Sequence, residues 1–244
     1  MDKISRLNPL LEVLKSSPRR VNKILVQKDS GRKKIKEILD RAGQHRIPCQ
    51  FVPKRQMDVV DGGHQGVIGF VSLKAPVPLD DILESAKKPF LLLCDSVEDP
   101  QNLGAIIRTA ECAGVDGLIL PERRAAGITG TVRAVSAGAT EHLSVSRVKN
   151  LARTMDELRK KGVWLVGAEG GGREYWHDFD YDVPVGIVLG SEGKGLRPLV
   201  RKKCDKILSI PLAGKINSLN VASAAAVFLF EVARQRNYFR KQSE

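Results

Sequence analysis

The sequence predicts an α/β chain in which a large C-terminal domain, built on a parallel sheet, follows a smaller N-terminal α/β unit. Three observations carry this. Beyond residue 89, apolar runs alternate with stretches of helical periodicity. The runs themselves, such as Phe90 to Cys94 and Val185 to Leu189, are apolar without interruption, as in strands covered on both faces. Three segments, Asp99-Pro-Gln-Asn-Leu-Gly-Ala-Ile-Ile-Arg108, Gly190-Ser-Glu-Gly-Lys-Gly-Leu196 and Ile210-Pro-Leu-Ala-Gly-Lys-Ile-Asn-Ser-Leu-Asn-Val-Ala222, lie where such a run gives way to a helix. Ligands of parallel sheets sit beyond the carboxyl ends of the strands, and all three segments fall there.

Taken in order, Asn8 to Lys15 reads as a short amphipathic helix and Lys23 to Gln27 as a strand. From Arg32 to Ala42, Ile35, Ile38 and Leu39 recur at helical spacing, and Gly43 closes the helix. Pro48 to Pro53 and Val67 to Leu73 are further strands. A stretch with Pro76, Pro78 and Pro89 follows, so the expected organisation is a domain over 1–74, a linker over 75–88 and a second domain over 89–244. In that domain Phe90 to Cys94 is a strand and Leu103 to Ala113 a helix. Gly117 to Leu120 is a strand, Val132 to Ala139 a helix of small residues, and Leu143 to Ser146 extended. Leu151 to Lys161 is helical; Val163 to Gly167, Val185 to Leu189 and Lys206 to Ile210 are strands; Leu219 to Arg236 is an apolar closing helix.

The chain carries a formal charge of +12, and residues 1–74, with sixteen Lys and Arg against seven Asp and Glu, hold +9 of it. That asymmetry favours a polyanionic partner, nucleic acid above all, over a merely well-hydrated surface. Cys49, Cys94, Cys112 and Cys204 stand far apart, and neither they nor His45, His64, His142 and His177 show metal-ligand spacing, so no metal is expected. Cys94 and Cys112 fall on apolar faces and read as buried thiols of a reducing compartment. No apolar stretch reaches the roughly 20 residues needed to cross a bilayer, and no signal peptide opens the chain; the expected location is the cytoplasm.

Gly190 to Gly195 does not fit the phosphate-loop pattern, because Lys194 precedes Gly195 and Leu196. Gly167-Ala-Glu-Gly-Gly-Gly172 fails the dinucleotide fingerprint and reads as a turn. Co-occurrence separates the 190s loop from an ordinary turn: Glu192 lies within it, and Ser218 and Asn220 open a helix 26 residues later. Ser218, Asn220 and Asn102 are also good N-cap types, but one helix start needs one cap. Arg108 stands among Ile106, Ile107 and Ala110, where a guanidinium requires an anionic partner or an aqueous cleft. His64-Gln65-Gly66 reads equally as a turn or an RNA contact. Trp164 reads as core, Tyr175 and Trp176 as a base-stacking or core-covering loop, and Lys33, Lys34 and Lys36 as solvated charges.

Asn102 with Arg108, Gly190-Ser-Glu192 and Ser218-Leu-Asn220 resemble the three motifs of the SpoU group of RNA ribose 2′-O-methyltransferases, in the SPOUT superfamily. The likeness spans residues 89–244. Residues 1–74 are similar to the substrate-binding domain attached to the bacterial 23S rRNA (guanosine-2′-O-)-methyltransferases, with Asn8-Pro9 and His64-Gln-Gly66 at the matching places. Arg6 stands where the family carries glycine, and Ala222 where many relatives carry serine. The resemblance implies a deep trefoil knot in the C-terminal domain, an obligate homodimer and S-adenosylmethionine as cofactor, held by Leu189, Gly190, Ile210 and Leu219. It assigns catalysis to Arg108, Asn102, Glu192, Ser218 and Asn220, with 23S rRNA as the implied partner and no metal. A tRNA ribose methyltransferase of the same fold and a non-catalytic RNA-binding ribosome-assembly protein are the competing readings.

Overall fold

A computed structural model describes residues 2–28, 30, 33–172 and 174–237. The chain forms two compact units, one of Met1–Ala75 with Ile128–His142, the other of Pro76–Gly127 with Leu143–Glu244.

The first unit contains β1 (Asp2–Ile4), α1 (Leu7–Ser16), β2 (Val21–Gln27), α2 (Lys33–Gln44), β3 (Cys49–Val52), α3 (Lys54–Val60) and β4 (Val67–Val71). The helix expected from Arg32 begins on a residue outside those described. The strands form one sheet in the order β1-β4-β2-β3, antiparallel except for β2 with β3. Alternation along β2 sends Ile24 and Val26 into a core with Leu10, Leu14 and Ile38 of the helices, while Leu25 packs with Val52, Met57 and Ile68. Gly69 is glycine because Leu10 lies against it: a Cβ there would stand 2.4 Å from Leu10 Cδ1. The helix α1 lacks a side-chain cap, but Gln65 Oε1 accepts from the Leu7 amide at 3.1 Å. His64 beside it is 2% exposed; its Nδ1 accepts from the Gly66 amide and its Nε2 faces Asp58 at 3.1 Å. His64 and Gln65 therefore brace their own turn. Lys33, Lys34 and Lys36 are exposed, as expected, with Lys34 donating to Asn8.

Residues 128–142 contribute to this unit a short helix and a 3-10 turn that place Arg133 and Glu141 out of solvent. Glu141, 2% exposed at its side chain, receives Arg20 and stands 3.7 Å from Arg133, whose Nε lies 3.3 Å from Asp2. Lys74 donates to the Thr140 and Glu141 carbonyls, and burial lowers its pKa.

The second unit continues with α4 (Leu79–Glu84), β5 (Phe90–Cys94), α5 (Pro100–Cys112) and β6 (Gly117–Pro121); α6 (Gly130–Val135) is the helix already met in the first unit. It resumes with β7 (Ser144–Val148), α7 (Leu151–Lys160), β8 (Trp164–Ala168), β9 (Glu174–Tyr175), β10 (Val185–Leu189), α8 (Pro198–Lys203), β11 (Lys206–Ser209) and α9 (Val221–Gln235). Its seven strands are parallel throughout, in the order β7-β6-β5-β10-β8-β11-β9. Ile82, Leu151, Met155, Leu158 and Val200 cover one face. The helices α5 and α9 pack on each other, α9 also meeting β10. The C-terminal end of α9 is tied down by Arg236, whose guanidinium donates to the carbonyls of Lys88, Tyr181 and Val183 and lies 5.3 Å from the Phe90 ring centroid.

Several sequence expectations are corrected. The stretch expected as a linker contains α4, with Ile82 buried against Gly117. Trp164 is 45% exposed, because it starts β8 beside Phe179 at the amino edge of the sheet. Cys112 is exposed, since the helical face it occupies turns outward at the last residue of α5. Cys94 is buried, and desolvation raises its thiol to about 12, too high for a thiolate near neutrality. Among the described residues no helix is long and apolar enough to cross a membrane.

Removing the carboxylate of Glu141 leaves Arg20 and Arg133 without their shared anion beside a half-buried lysine. Glu141→Ala is expected to lower the unfolding free energy by about 3 kcal/mol, read from urea titration at neutral pH.

Candidate active site

The strand order reverses direction between β5 and β10: the chain steps outward from β5 to β6 and β7, then returns on the other side. At such a switch point the loops beyond the carboxyl ends diverge and leave a crevice. The loops after β8, β10 and β11 line a cavity of ≈ 630 Å³. Gly170 and Gly171 come from the first, Leu189 to Gly195 from the second, and Ile210, Leu212 and Asn217 to Leu219 from the third; Val221, Ala224 and Phe228 of α9 close it.

The loop after β10 folds back on itself. Ser191 and Gly195 exchange two backbone hydrogen bonds of 3.0 Å, a turn that sets Gly193 and Gly195 at φ of 81° and 66°. Its backbone crosses so close to its own start that a Cβ on Gly190 would lie 2.2 Å from the Gly195 carbonyl carbon. The exit of this loop is fixed by Asp95, which has no solvent exposure and follows β5. Its carboxylate accepts from the Arg197 amide at 3.0 Å and Nε at 2.6 Å, while its own amide donates to Leu189 at 2.7 Å. A buried carboxylate held by a guanidinium fork and a backbone amide is a firm anchor.

Two segments distant in sequence close over this loop. Asn102 Nδ2 donates to Glu192 Oε2 at 2.9 Å, and Asn220 Nδ2 donates to Asn102 Oδ1 at 2.9 Å and Glu192 Oε1 at 3.4 Å. Asn220 Oδ1 also caps α9 by accepting from the Ala222 amide. The cap of α5 is Asp99, which accepts from the Gln101 and Asn102 amides, so the side chain of Asn102 serves the network and not the cap.

Of the nine residues singled out in the sequence, Leu189, Gly190, Ile210 and Leu219 line the cavity, as do Glu192 and Ser218. Asn102 and Asn220 are hydrogen-bonded to its Glu192. Arg108 is not part of this network: it is exposed, two turns along α5, with no hydrogen bond or ion pair among the described residues. Ile106, Ile107 and Ala110 turn inward and Arg108 outward, so its guanidinium meets water and, among the described residues, no protein anion. Glu169, Gly170 and Gly171, expected only as part of a turn, also line the cavity. They follow β8, and the strand-end rule that selected the other loops selects them too. Glu169 receives Arg201 at 2.5 Å. Among the described residues no group of His, Cys, Asp and Glu could hold a metal ion.

Fold and site thus define an α/β protein whose ligand cavity is made by glycine-rich loops at the carboxyl edge of a parallel sheet. The SpoU rRNA Methylase family matches residues 89–230, and the family described as RNA 2′-O ribose methyltransferase substrate binding matches residues 7–77. Over 235 residues, 94% of each chain, the sequence is 41% identical to YacO of Bacillus subtilis (strain 168), which is named for the TrmH family of tRNA/rRNA methyltransferases. A similarly named protein of Staphylococcus saprophyticus is 42% identical over 223 residues, 89% of this chain and 90% of its own. The crystal structure of the SpoU methyltransferase AviRb from Streptomyces viridochromogenes, in complex with AdoMet, superposes with a TM-score of 0.82 at 28% identity, covering 97% of this chain and 90% of AviRb. The chain belongs to the SpoU family of RNA methyltransferases.

Gly190→Ala is expected to force the 190s loop apart and lower stability by about 1–3 kcal/mol. Asp95→Asn, which leaves Arg197 without its charge partner, is expected to cost about 3 kcal/mol. Thermal unfolding of each variant measures both.

Proposed function

We propose that the protein transfers a methyl group from S-adenosylmethionine to a ribose 2′-hydroxyl of RNA, with a guanosine of 23S rRNA as target. The observation that carries this reading is the closure of Asn102, Glu192 and Asn220 beside a cavity lined by Leu189, Gly190, Ile210 and Leu219. The cavity fits such a donor in size and lining. Its ≈ 630 Å³ lies within the usual range for small-molecule sites, about 300–1,000 Å³. Backbone groups of the 190s loop approach without an intervening Cβ, and Leu212, Leu219 and Phe228 offer apolar surface to a flat ring.

Leu189, Gly190, Ile210 and Leu219 would hold the donor, which supplies a methyl group made electrophilic by its sulfonium. The residues of the chain then have two tasks, alignment and activation of a weak nucleophile. Asn102, Glu192 and Asn220, locked together, fix the edge of the site, and Ser218 presents a hydroxyl to it. In the family pattern the residue matching Arg108 removes the hydroxyl proton. A guanidinium does not give up its proton in a protein and is a reluctant base, so Arg108 serves here as a cation that binds an adjacent phosphate and stabilises developing alkoxide charge. Its exposure, and the lack of a partner among the described residues, suit a group that waits for an anion.

The substrate-binding family match over residues 7–77 and the basic surplus of that region support a large structured RNA, and rRNA over tRNA. The names of the relatives carry both, so tRNA is the second reading. The knotted path and the pairing of two copies belong to the same proposal. Ile216 and Phe230 are apolar and exposed, as a surface for a second copy requires. Light scattering at micromolar concentration is expected to give the mass of a dimer.

Calorimetry is expected to show S-adenosylmethionine binding, and ribose-methylation mapping of rRNA and tRNA from cells with and without the protein to show one lost site in 23S rRNA. No lost site in any RNA would refute the reading; a lost tRNA site would move the target. Arg108→Lys is expected to keep donor affinity while turnover falls by a hundredfold or so, since an ammonium lacks the guanidinium fork.

A further inference from the structure

We infer that Arg123 and Arg124, in the loop after β6, form a binding site for RNA backbone phosphates beside the candidate active site; this deepens the RNA-methyltransferase reading and rests on it. The strand β6 is the neighbour of β5, and both run parallel, so the loop that carries these arginines leaves the same edge of the sheet as the segment leading to Asn102. Adjacent strands lie about 4.8 Å apart. A chain of nucleotides that delivers a ribose to the switch point has this loop next to its path.

Two features distinguish these arginines from ordinary surface charges. The first is the rigidity of their loop. The Glu122 amide donates to Val148 at 2.9 Å, and the Ala126 amide donates to Val97 at 3.0 Å, which stitches the loop to the one after β5. From β7, Arg147 donates to the carbonyls of Pro121 at 3.0 Å and Ala126 at 3.4 Å, so both ends of the loop are held by one guanidinium. Burial lowers the pKa of Arg147, and the nearby carboxylate of Glu122 opposes that shift. The second feature is the conformation within that frame. Arg124 sits at φ 61°, a left-handed backbone that a long side chain adopts only under constraint, and Ser96 in the stitched neighbour sits at φ 66°. Both arginines are exposed, and neither guanidinium has a hydrogen bond or ion pair among the described residues.

A pinned, strained turn that projects two adjacent unpaired guanidiniums suits an anion that arrives from outside. Phosphodiester oxygens match the guanidinium fork, and a linear polyanion can engage both at once. The field of two cations at the rim also draws RNA toward the crevice.

The test compares the full-length protein with Arg123→Ala/Arg124→Ala and Arg123→Lys/Arg124→Lys, using fluorescence anisotropy on a labelled single-stranded RNA of mixed sequence at several salt concentrations. Each phosphate contact on a single strand contributes about 0.7 to the slope of log affinity against log salt. The alanine pair is expected to reduce that slope by roughly 1.4 and to weaken binding on the order of tenfold at low salt, and the lysine pair to keep the slope. Calorimetric affinity for S-adenosylmethionine and the thermal midpoint are expected to stay at wild-type values in both. An unchanged slope in an alanine pair that melts like wild type overturns the assignment. Failure of the wild type to bind S-adenosylmethionine would instead overturn the reading of the cavity, and leaves the slope comparison as decisive as before.

Discussion

The site depends on a carboxylate that never meets water. Asp95 follows β5, the strand at the reversal of the sheet, and takes up Arg197 through both its backbone and its guanidinium. Burying a carboxylate is unfavourable unless it is paired and hydrogen-bonded, and here both conditions are met. The result is that the loop from Gly190 to Arg197 has a fixed exit as well as a fixed entry. Only a loop anchored in this way can fold as tightly as the Ser191–Gly195 exchange requires.

On that base, order spreads outward through polar side chains. Glu192 stands on the fixed loop, Asn102 on the first turn of α5 and Asn220 at the cap of α9; each bonds to the other two. Because α5 and α9 pack on each other, the two asparagines arrive already positioned. Each carries a second duty or is relieved of one: Asn220 caps its helix, whereas Asp99 takes the cap that Asn102 would otherwise fill. This edge of the cavity is thus organised before any ligand arrives, the arrangement that gives electrostatic stabilisation at least reorganisation cost.

Cations are treated in two opposite ways. Arg197, Arg236, Arg133 and Arg147 are structural, each drawing in carboxylates or carbonyls that would otherwise be unpaired. Arg108, Arg123 and Arg124 are left exposed at helix surface and strand-end loop. Composition counts these groups alike, but only the second set can contribute to binding an external polyanion.

Much of this was legible from residue pattern. Unbroken apolar runs from Phe90 to Cys94 and Val185 to Leu189 announce strands covered on both faces, because such runs have no other place to hide. The strand-end rule brought the Gly190–Leu196 and Ile210–Ala222 segments to one region, and the family resemblance singled out Leu189, Gly190, Ile210 and Leu219 there; all four line the cavity. Strand order, the contact of Asn102 with a residue 90 positions away, and the outward turn of Arg108 were decided by tertiary structure alone. So were the inclusion of residues 128–142 in the first unit and the buried charges that hold them there. The reason is physical: periodicity records which face of an element is dry, a local property. Which element supplies the neighbouring surface, and whether a polar group finds a partner or water, depends on packing between segments that the sequence keeps far apart.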